Sequence, residues 1–413
     1  MEWGDITPLR TKVNRLEEGD LFVTVVNRYG LQTDNATSYC MEELRPTGMA
    51  LATMQARMDA ICQFQNWCGD RDIDFLQRVE SGEFFLQDEI GGLRKELRRN
   101  LVYREPKKGS PKKPASKRKV TERETVGPAH WRNRCVAVRD YVAWFAEAAI
   151  LRRRVDDPIL PEMRARLADF VVNITDGIVV RRNRMKKGLA KEEEPVFLNA
   201  ITPGHASNLF VVRNQPRNHA LWLTYFKAGL RLGEGLGLKT IDCLLNGGRK
   251  RLIVHRRPDD DHETRRKPAL AKTLPHPVAI DDHLAGVLHD YIVNHRPSYP
   301  GAKRSPYVFL SEDGGPLSHE TVAYMYRRLR EEVPGLPRDF CTHDARRSWN
   351  NRFAVGAAEV GLSDEKSLVV ANHAQGRVPT SIEGENYRGR FNEEKAAEIM
   401  QHMNDKLTKG DTE

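Results

Sequence analysis

Residues 101–125 read LVYREPKKGSPKKPASKRKVTERET and set the first limit on what this chain can fold into. The stretch holds nine Lys or Arg, three Glu, and Pro106, Pro111 and Pro114, with almost no apolar side chain. Proline removes a backbone donor and clashes inside a helix, and a charged stretch without apolar content cannot bury a core. Packing therefore has to be sought separately on its two sides. The local charge is +6, nine minus three, which suits a solvated, flexible linker. It also suits a segment that follows a phosphate backbone and gains affinity by counterion release. Lys107, Lys108, Lys112, Lys113, Lys117, Arg118 and Lys119 are the candidate contacts.

Helical periodicity appears on both sides of this segment. In LATMQARMDAICQFQNWC, the residues Leu51, Met54, Met58, Ile61 and Cys68 share one helical stripe. In WRNRCVAVRDYVAWFAEAAI, Trp131, Cys135, Val138, Val142 and Phe145 share another. Residues 73–98 read as one or two shorter helices. The pattern predicts a helical domain over 46–185, with 101–125 as a linker or insertion inside it. Residues 1–45 read as an N-terminal extension of no assigned role, in which DLFVTVV has strand character. A second charged break, RRNRMKKGLAKEEEP at 181–195, marks the join to a C-terminal domain over 190–413.

The chain has 413 residues with 39% apolar and 8% aromatic content, enough for more than one packed core. No run of 18 apolar residues and no apolar segment after a basic start is present, so neither a membrane span nor a secretory signal is expected. A cytoplasmic protein is the expectation. Cys40, Cys62, Cys68, Cys135, Cys243 and Cys341 are scattered without metal-ligand spacing, which suits reduced thiols. The net charge of +9 is compatible with a polyanionic partner and is weak evidence by itself.

The C-terminal domain carries the residues with chemical potential. A helix over 217–230 turns Leu221, Tyr225 and Leu230 toward a core and runs on into RLGEGLGLKTID. Arg231 and Glu234 stand three apart and can pair on one face. Gly229, Gly233, Gly235 and Gly237 each cost roughly 1 kcal/mol in a helix, a cost explained if the backbone approaches something closely. RLIVHRR and HPVAI read as the strands of a hairpin whose polar tip carries Arg265, Arg266, Lys267 and Lys272. The fold class is therefore mainly α, with a small β-sheet or hairpin in a mixed α+β C-terminal domain. CTHDARRSWNNRF starts a helix with Thr342 as N-cap and puts His343 and Arg346 on one face. LVVANHAQGR places His373 behind an apolar run, and TSIEGENYRGRF sets Tyr387 among polar and basic residues. A tail helix over 392–407 carries an apolar stripe of Ala396, Ile399, Met400 and Met403.

GLRLGEGLGL at 229–238, HDARR at 343–347, LVVANH ending at His373, and Tyr387 occur in that order. The set resembles the catalytic domain of the tyrosine recombinases, the phage integrase family. The helical region before it is similar, more loosely, to that family's core-binding domain. Three positions depart from the pattern: Arg347 stands where a histidine is more usual, Asn372 replaces a glycine, and His276 falls where an arginine is common. The resemblance implies Tyr387 as nucleophile, Arg231 and Arg346 as a phosphate clamp, His343 and a third-box group beside them, and Glu234 in support. A hairpin lysine would be the general acid, with Lys272 preferred by its Lys-Thr context and Lys267 as the alternative. The third-box group is His373 by chemistry, or Arg377 by its spacing to the tyrosine.

That assignment makes chemical sense. A phosphodiester repels nucleophiles, so rate comes from hydrogen-bonding cations placed where charge develops. Guanidinium groups offer bidentate forks to phosphate oxygens. A phosphotyrosyl intermediate conserves the bond energy, so no ATP, cofactor or metal is expected. The implied partner is double-stranded DNA, bound by a homotetramer in the synaptic complex and by a monomer when free, with accessory proteins as further partners and no membrane. A second reading, a DNA-binding accessory protein with weak or lost catalysis, is kept open by the three departures and by the 14 residues from His373 to Tyr387.

Overall fold

A computed structural model describes residues 8–16, 21–47, 49–101, 124–180, 187–257, 260–271, 273–381 and 383–410. The basic contacts proposed from Lys107 to Lys119, and Lys272, lie outside the described residues. The chain divides into two compact units, Met1–Arg182 and Asn183–Glu413.

In the first unit, β1 (Arg10–Arg15) and β2 (Leu21–Val26) pair antiparallel, from Arg10 opposite Val26 to Arg15 opposite Leu21. The β-branched run of β2 favours a pleated, packed strand. Leu9, Phe22, Val23 and Val25 join the core, so residues set aside as an extension belong to this unit's packing. Helices α1 (Asp34–Tyr39), α2 (Leu51–Gly69), α3 (Phe75–Ser81), α4 (Gln87–Arg98), α5 (Pro128–Leu151) and α6 (Leu160–Asn173) follow. The two expected stripes face inward: Met54, Met58, Ile61, Cys68, Cys135, Val138 and Val142 are all buried. Phe64, Phe75, Tyr141 and Phe145 meet largely edge to face between α2, α3 and α5, with Phe64 and Phe75 centroids 5.2 Å apart. Asn100 N donates to Glu124 O at 2.8 Å and Val126 N to Arg98 O at 2.9 Å. The ends of the basic stretch are thus clipped together between α4 and α5.

The second unit opens with α7 (Glu193–Ile201) and α8 (Gln215–Ala228). The expected continuous helix through 230 is broken: Gly229 takes φ +64°, which favours glycine, and α9 (Leu232–Leu236) restarts after Arg231. Strands β3 (Cys243–Leu244), β4 (Arg251–Val254) and β5 (His276–Ala279) form one antiparallel sheet in that order. Then come α10 (Asp282–Asp290), α11 (His319–Glu332), α12 (Thr342–Glu359), α13 (Asp364–Ala374), α14 (Glu383–Asn386) and α15 (Gly389–Gly410). Trp222, Tyr225, Leu252, Val278, Leu284, Tyr326 and Phe340 are among the buried residues of its core. The long connection from β4 to β5 is anchored by Arg265, which was expected on a solvated tip. Its guanidinium pairs with Glu263 at 2.8 Å and donates to Leu236 O and Leu317 O at 2.9 and 3.1 Å.

Candidate active site

Glu234 is the hub around which the site is built. Its side chain is fully buried, and it accepts from Arg231 N at 2.7 Å, Arg231 Nη1 at 3.2 Å and Thr273 Oγ1 at 2.9 Å. Arg346 Nη1 stands 3.6 Å from its other oxygen and donates to Gly229 O at 2.6 Å. Burial alone would raise the Glu234 pKa, but the Arg346 and Arg231 charges, with the Arg231 N–H and the Thr273 hydroxyl, hold it below the ordinary range. Burial pulls the Arg346 pKa down to about 9, which leaves it a cation at neutral pH. Its Nε and Nη2 are buried without a hydrogen-bond partner among the described residues. Oxygens of a bound phosphate would satisfy such donors.

The glycines around α9 meet neighbouring backbone. A Cβ at Gly233 would lie 2.7 Å from Leu270 O, and one at Gly237 would lie 3.0 Å from Ala269 O. Segment 269–271 is thereby seated on α9, and Thr273 is bonded to Glu234. Lys272 is outside the described residues; its neighbour Thr273 donates to Glu234. Lys267 is exposed, and its charge acts on His319 and Glu320 at the start of α11. His276, which the sequence marked only as a departure, is buried at the start of β5. Its Nδ1 donates to Leu274 O at 2.8 Å, which leaves Nε2 as a buried acceptor without a partner among the described residues. Burial lowers its pKa; Glu234, Arg346 and Arg231 also act on it.

Helix α12 carries the HxxR pair. Its N-cap is Cys341, not Thr342, because the Asp344 carboxylate accepts from Cys341 N at 2.9 Å. His343 is exposed near the helix start and Arg346 is buried one turn on. Desolvation by surrounding protein, then the Arg347 and Arg346 charges, lower the His343 pKa from 6.5, so its imidazole is neutral at neutral pH. Arg347 pairs with Asp344 at 2.7 Å.

Tyr387 follows α14 and is half-buried. The guanidinium carbons of Arg377, Arg347 and Arg346 lie 4.8, 5.6 and 6.0 Å from its ring centroid. Arg346 and Arg377 therefore converge on Tyr387, and Arg231 is tied to Arg346 through Glu234. Arg377 is buried, whereas His373 is exposed on α13. The setting of Tyr387 is less open than its polar neighbours suggest. Arg388 is itself buried and donates to Ser367 Oγ at 2.9 Å and to Asp364 O at 3.4 Å. Arg347, Thr273, His276 and Asn372 were not selected as site residues; only the oddity of three of these positions signalled them. Among the described residues, no group of three or more His, Cys, Asp or Glu could hold a metal ion. No described helix is long and apolar enough to cross a membrane.

Mostly helical, with a small antiparallel sheet, the second unit has a fold that matches tyrosine-recombinase catalytic domains. Residues 200–359 match the model of the phage integrase family. The match ends at Glu359, the last residue of α12, so Arg377 and Tyr387 lie beyond it. The chain is similar in fold to the XerH site-specific recombinase bound to a palindromic difH substrate in a post-cleavage complex. The TM-score is 0.51 at 14% identity, over 87% of this chain and 82% of that one. The XerH pre-cleavage complex on difH gives 0.49 at 15% identity, over 86% and 82%. The Tn1549 transposon integrase, in complex with circular intermediate DNA, gives 0.41 at 15%, over 63% and 75%. Comparison with curated proteins gives no match.

Proposed function

We propose that this protein is a site-specific DNA recombinase of a mobile element that cuts and rejoins DNA through a 3′-phosphotyrosyl intermediate. The observation that carries the reading is the convergence of Arg346 and Arg377 on the Tyr387 ring, with Arg346 tied to Arg231 through buried Glu234. In the forward step the Tyr387 oxygen bonds to phosphorus, its proton passes to His343, and the bond from phosphorus to the 5′-oxygen breaks. Lys272 supplies the proton that leaves that oxygen as a hydroxyl, a role supported by the bond of its neighbour Thr273 to Glu234. Arg231, Arg346 and Arg377 stabilise the charge that grows on the phosphorane oxygens. Arg377 fills the third-box role in preference to His373, because it is buried against the tyrosine. Rejoining reverses the step, with a 5′-hydroxyl attacking the phosphotyrosine.

The helical unit, with its basic stretch from Lys107 to Lys119, and the catalytic unit both bind duplex DNA. Two DNA sites are brought together by four copies of the chain on the nucleoid. The exposed Ile399, Met400 and Met403 of α15 then dock on a neighbouring copy.

The test is incubation with a nicked duplex that carries the recombination site, followed by denaturation. A covalent protein–DNA band is expected, insensitive to EDTA and lost in Tyr387→Phe. A band that persists in Tyr387→Phe removes the assignment. No band from the unsubstituted protein on a verified site supports the accessory reading instead.

A further inference from the structure

Asn372 is completely buried on the last turn of α13, and nearly all of its hydrogen-bonding capacity is spent on one stretch of chain. Its Oδ1 accepts from Arg377 Nη1 at 3.3 Å. Its Nδ2 donates to Pro379 O at 3.2 Å and to Ser381 O at 2.9 Å. Its carbonyl accepts from Arg377 N at 2.9 Å. A buried amide is costly unless its donors and acceptor are used, and here both donors and the acceptor are. The partners lie at 377, 379 and 381, between α13 and the helix that precedes the tyrosine. That helix also presses on the amide: a Cβ at Gly384 would come 3.0 Å from Asn372 Oδ1 and 3.2 Å from Arg377 Nη1.

We propose that Asn372 is a positioning residue of the cleavage reaction. Its side chain folds 377–381 into one fixed turn and thereby sets Arg377 and Tyr387 together at the scissile phosphate. Asparagine meets the requirement because it offers two donors to carbonyls and one acceptor to a guanidinium. A glycine offers none, and an aspartate keeps only the contact to Arg377. The stretch 377–381 on the approach to Tyr387 is then organised by one amide. This inference rests on the reading of Arg377 and Tyr387 given above.

The test measures covalent-complex formation in a single turnover at saturating nicked site DNA, with DNA affinity measured in parallel. Asn372→Ala and Asn372→Asp are each expected to slow cleavage by about tenfold or more while Kd stays within about twofold. The same-volume Asp variant supplies the answer if the Ala variant fails to fold. If the amide acts through Arg377, the slowing caused by Asn372→Ala is several-fold smaller in an Arg377→Ala background. Wild-type cleavage by the Asn372 variants overturns the proposal. So does a loss of affinity in step with rate, or effects that simply multiply. Wild-type cleavage by Arg377→Ala alone identifies the underlying reading of Arg377 as the part that failed.

Discussion

Replacing Glu234 tests the idea that one buried carboxylate assembles the site. Its side chain is fully buried and holds Arg231 at 3.2 Å, Thr273 at 2.9 Å and Arg346 at 3.6 Å, the last with only 1% of its side chain exposed. Glu234→Ala leaves a buried guanidinium without its counter-charge, a change that typically costs about 3–5 kcal/mol. For a unit the size of Asn183–Glu413, that corresponds to a fall in Tm of about 6–20 °C. Glu234→Gln keeps the volume and an acceptor but loses the charge, so a smaller loss of about 1.5–3 kcal/mol is expected.

The pH dependence separates charge from packing. The Glu234 pKa is depressed on folding, so its contribution to stability is present above the ordinary value of 4.5 and is lost as pH falls through the lower folded value. The gap in Tm between the unsubstituted protein and Glu234→Gln should therefore be constant from neutral pH to about pH 5 and should close below that. Thermal melts followed by circular dichroism across this range supply the measurement. A Glu234→Ala protein that melts within about 2 °C of wild type refutes the reasoning. So does a gap for Glu234→Gln that persists unchanged in acid.

Other consequences follow from the same geometry. Desolvation and then the Arg347 charge lower the His343 pKa, so the acid limb of the cleavage rate should lie below pH 6.5 and move upward in Arg347→Gln; an unmoved limb removes that coupling. A bridging 5′-phosphorothiolate substrate has a better leaving group and should rescue Lys272→Ala, while Lys267→Ala should cleave normal DNA at close to the wild-type rate. The reverse pattern assigns the acid to Lys267. Phe391 is buried, so the tail is better tested by Ile399→Asp with Met403→Asp than by removing α15. Loss of synapsis with retained binding to a single site is expected, and normal synapsis refutes docking of this stripe on a neighbour.

Much of this arrangement could be read from local pattern because it is local. Arg231 and Glu234 are three apart, and they do pair. The stripes of α2 and α5 face a core, and the two strands flanking Arg265 do form a hairpin ladder, with Leu252 opposite Val278. What escaped depends on partners far along the chain. Nothing in 229–238 reveals that Glu234 will also serve Arg346, or that the glycines there receive Leu270 O and Ala269 O. Arg265 looked like one more exposed cation, because a buried ion pair with Glu263 has the same local sequence as a solvated one.

His373 and Arg377 differ most clearly in burial. The apolar run Leu368, Val369, Val370 favoured His373, which follows it. In α13 the buried face is instead Ser367, Ala371 and Asn372, while Val369 and Val370 are exposed. An α-helix turns about 100° per residue, so His373 stands about 200° around from Ala371 and points away from the packed face. Arg377 reaches that face by another route. The chain leaves the helix through Gly376 at φ +60°, packed so tightly that a Cβ there would fall 2.2 Å from His276 Nδ1. The turn brings Arg377 back under Asn372 and against Tyr387. The packed face of α13 carries polar groups that hydrogen-bond, so an apolar run along the chain does not mark it.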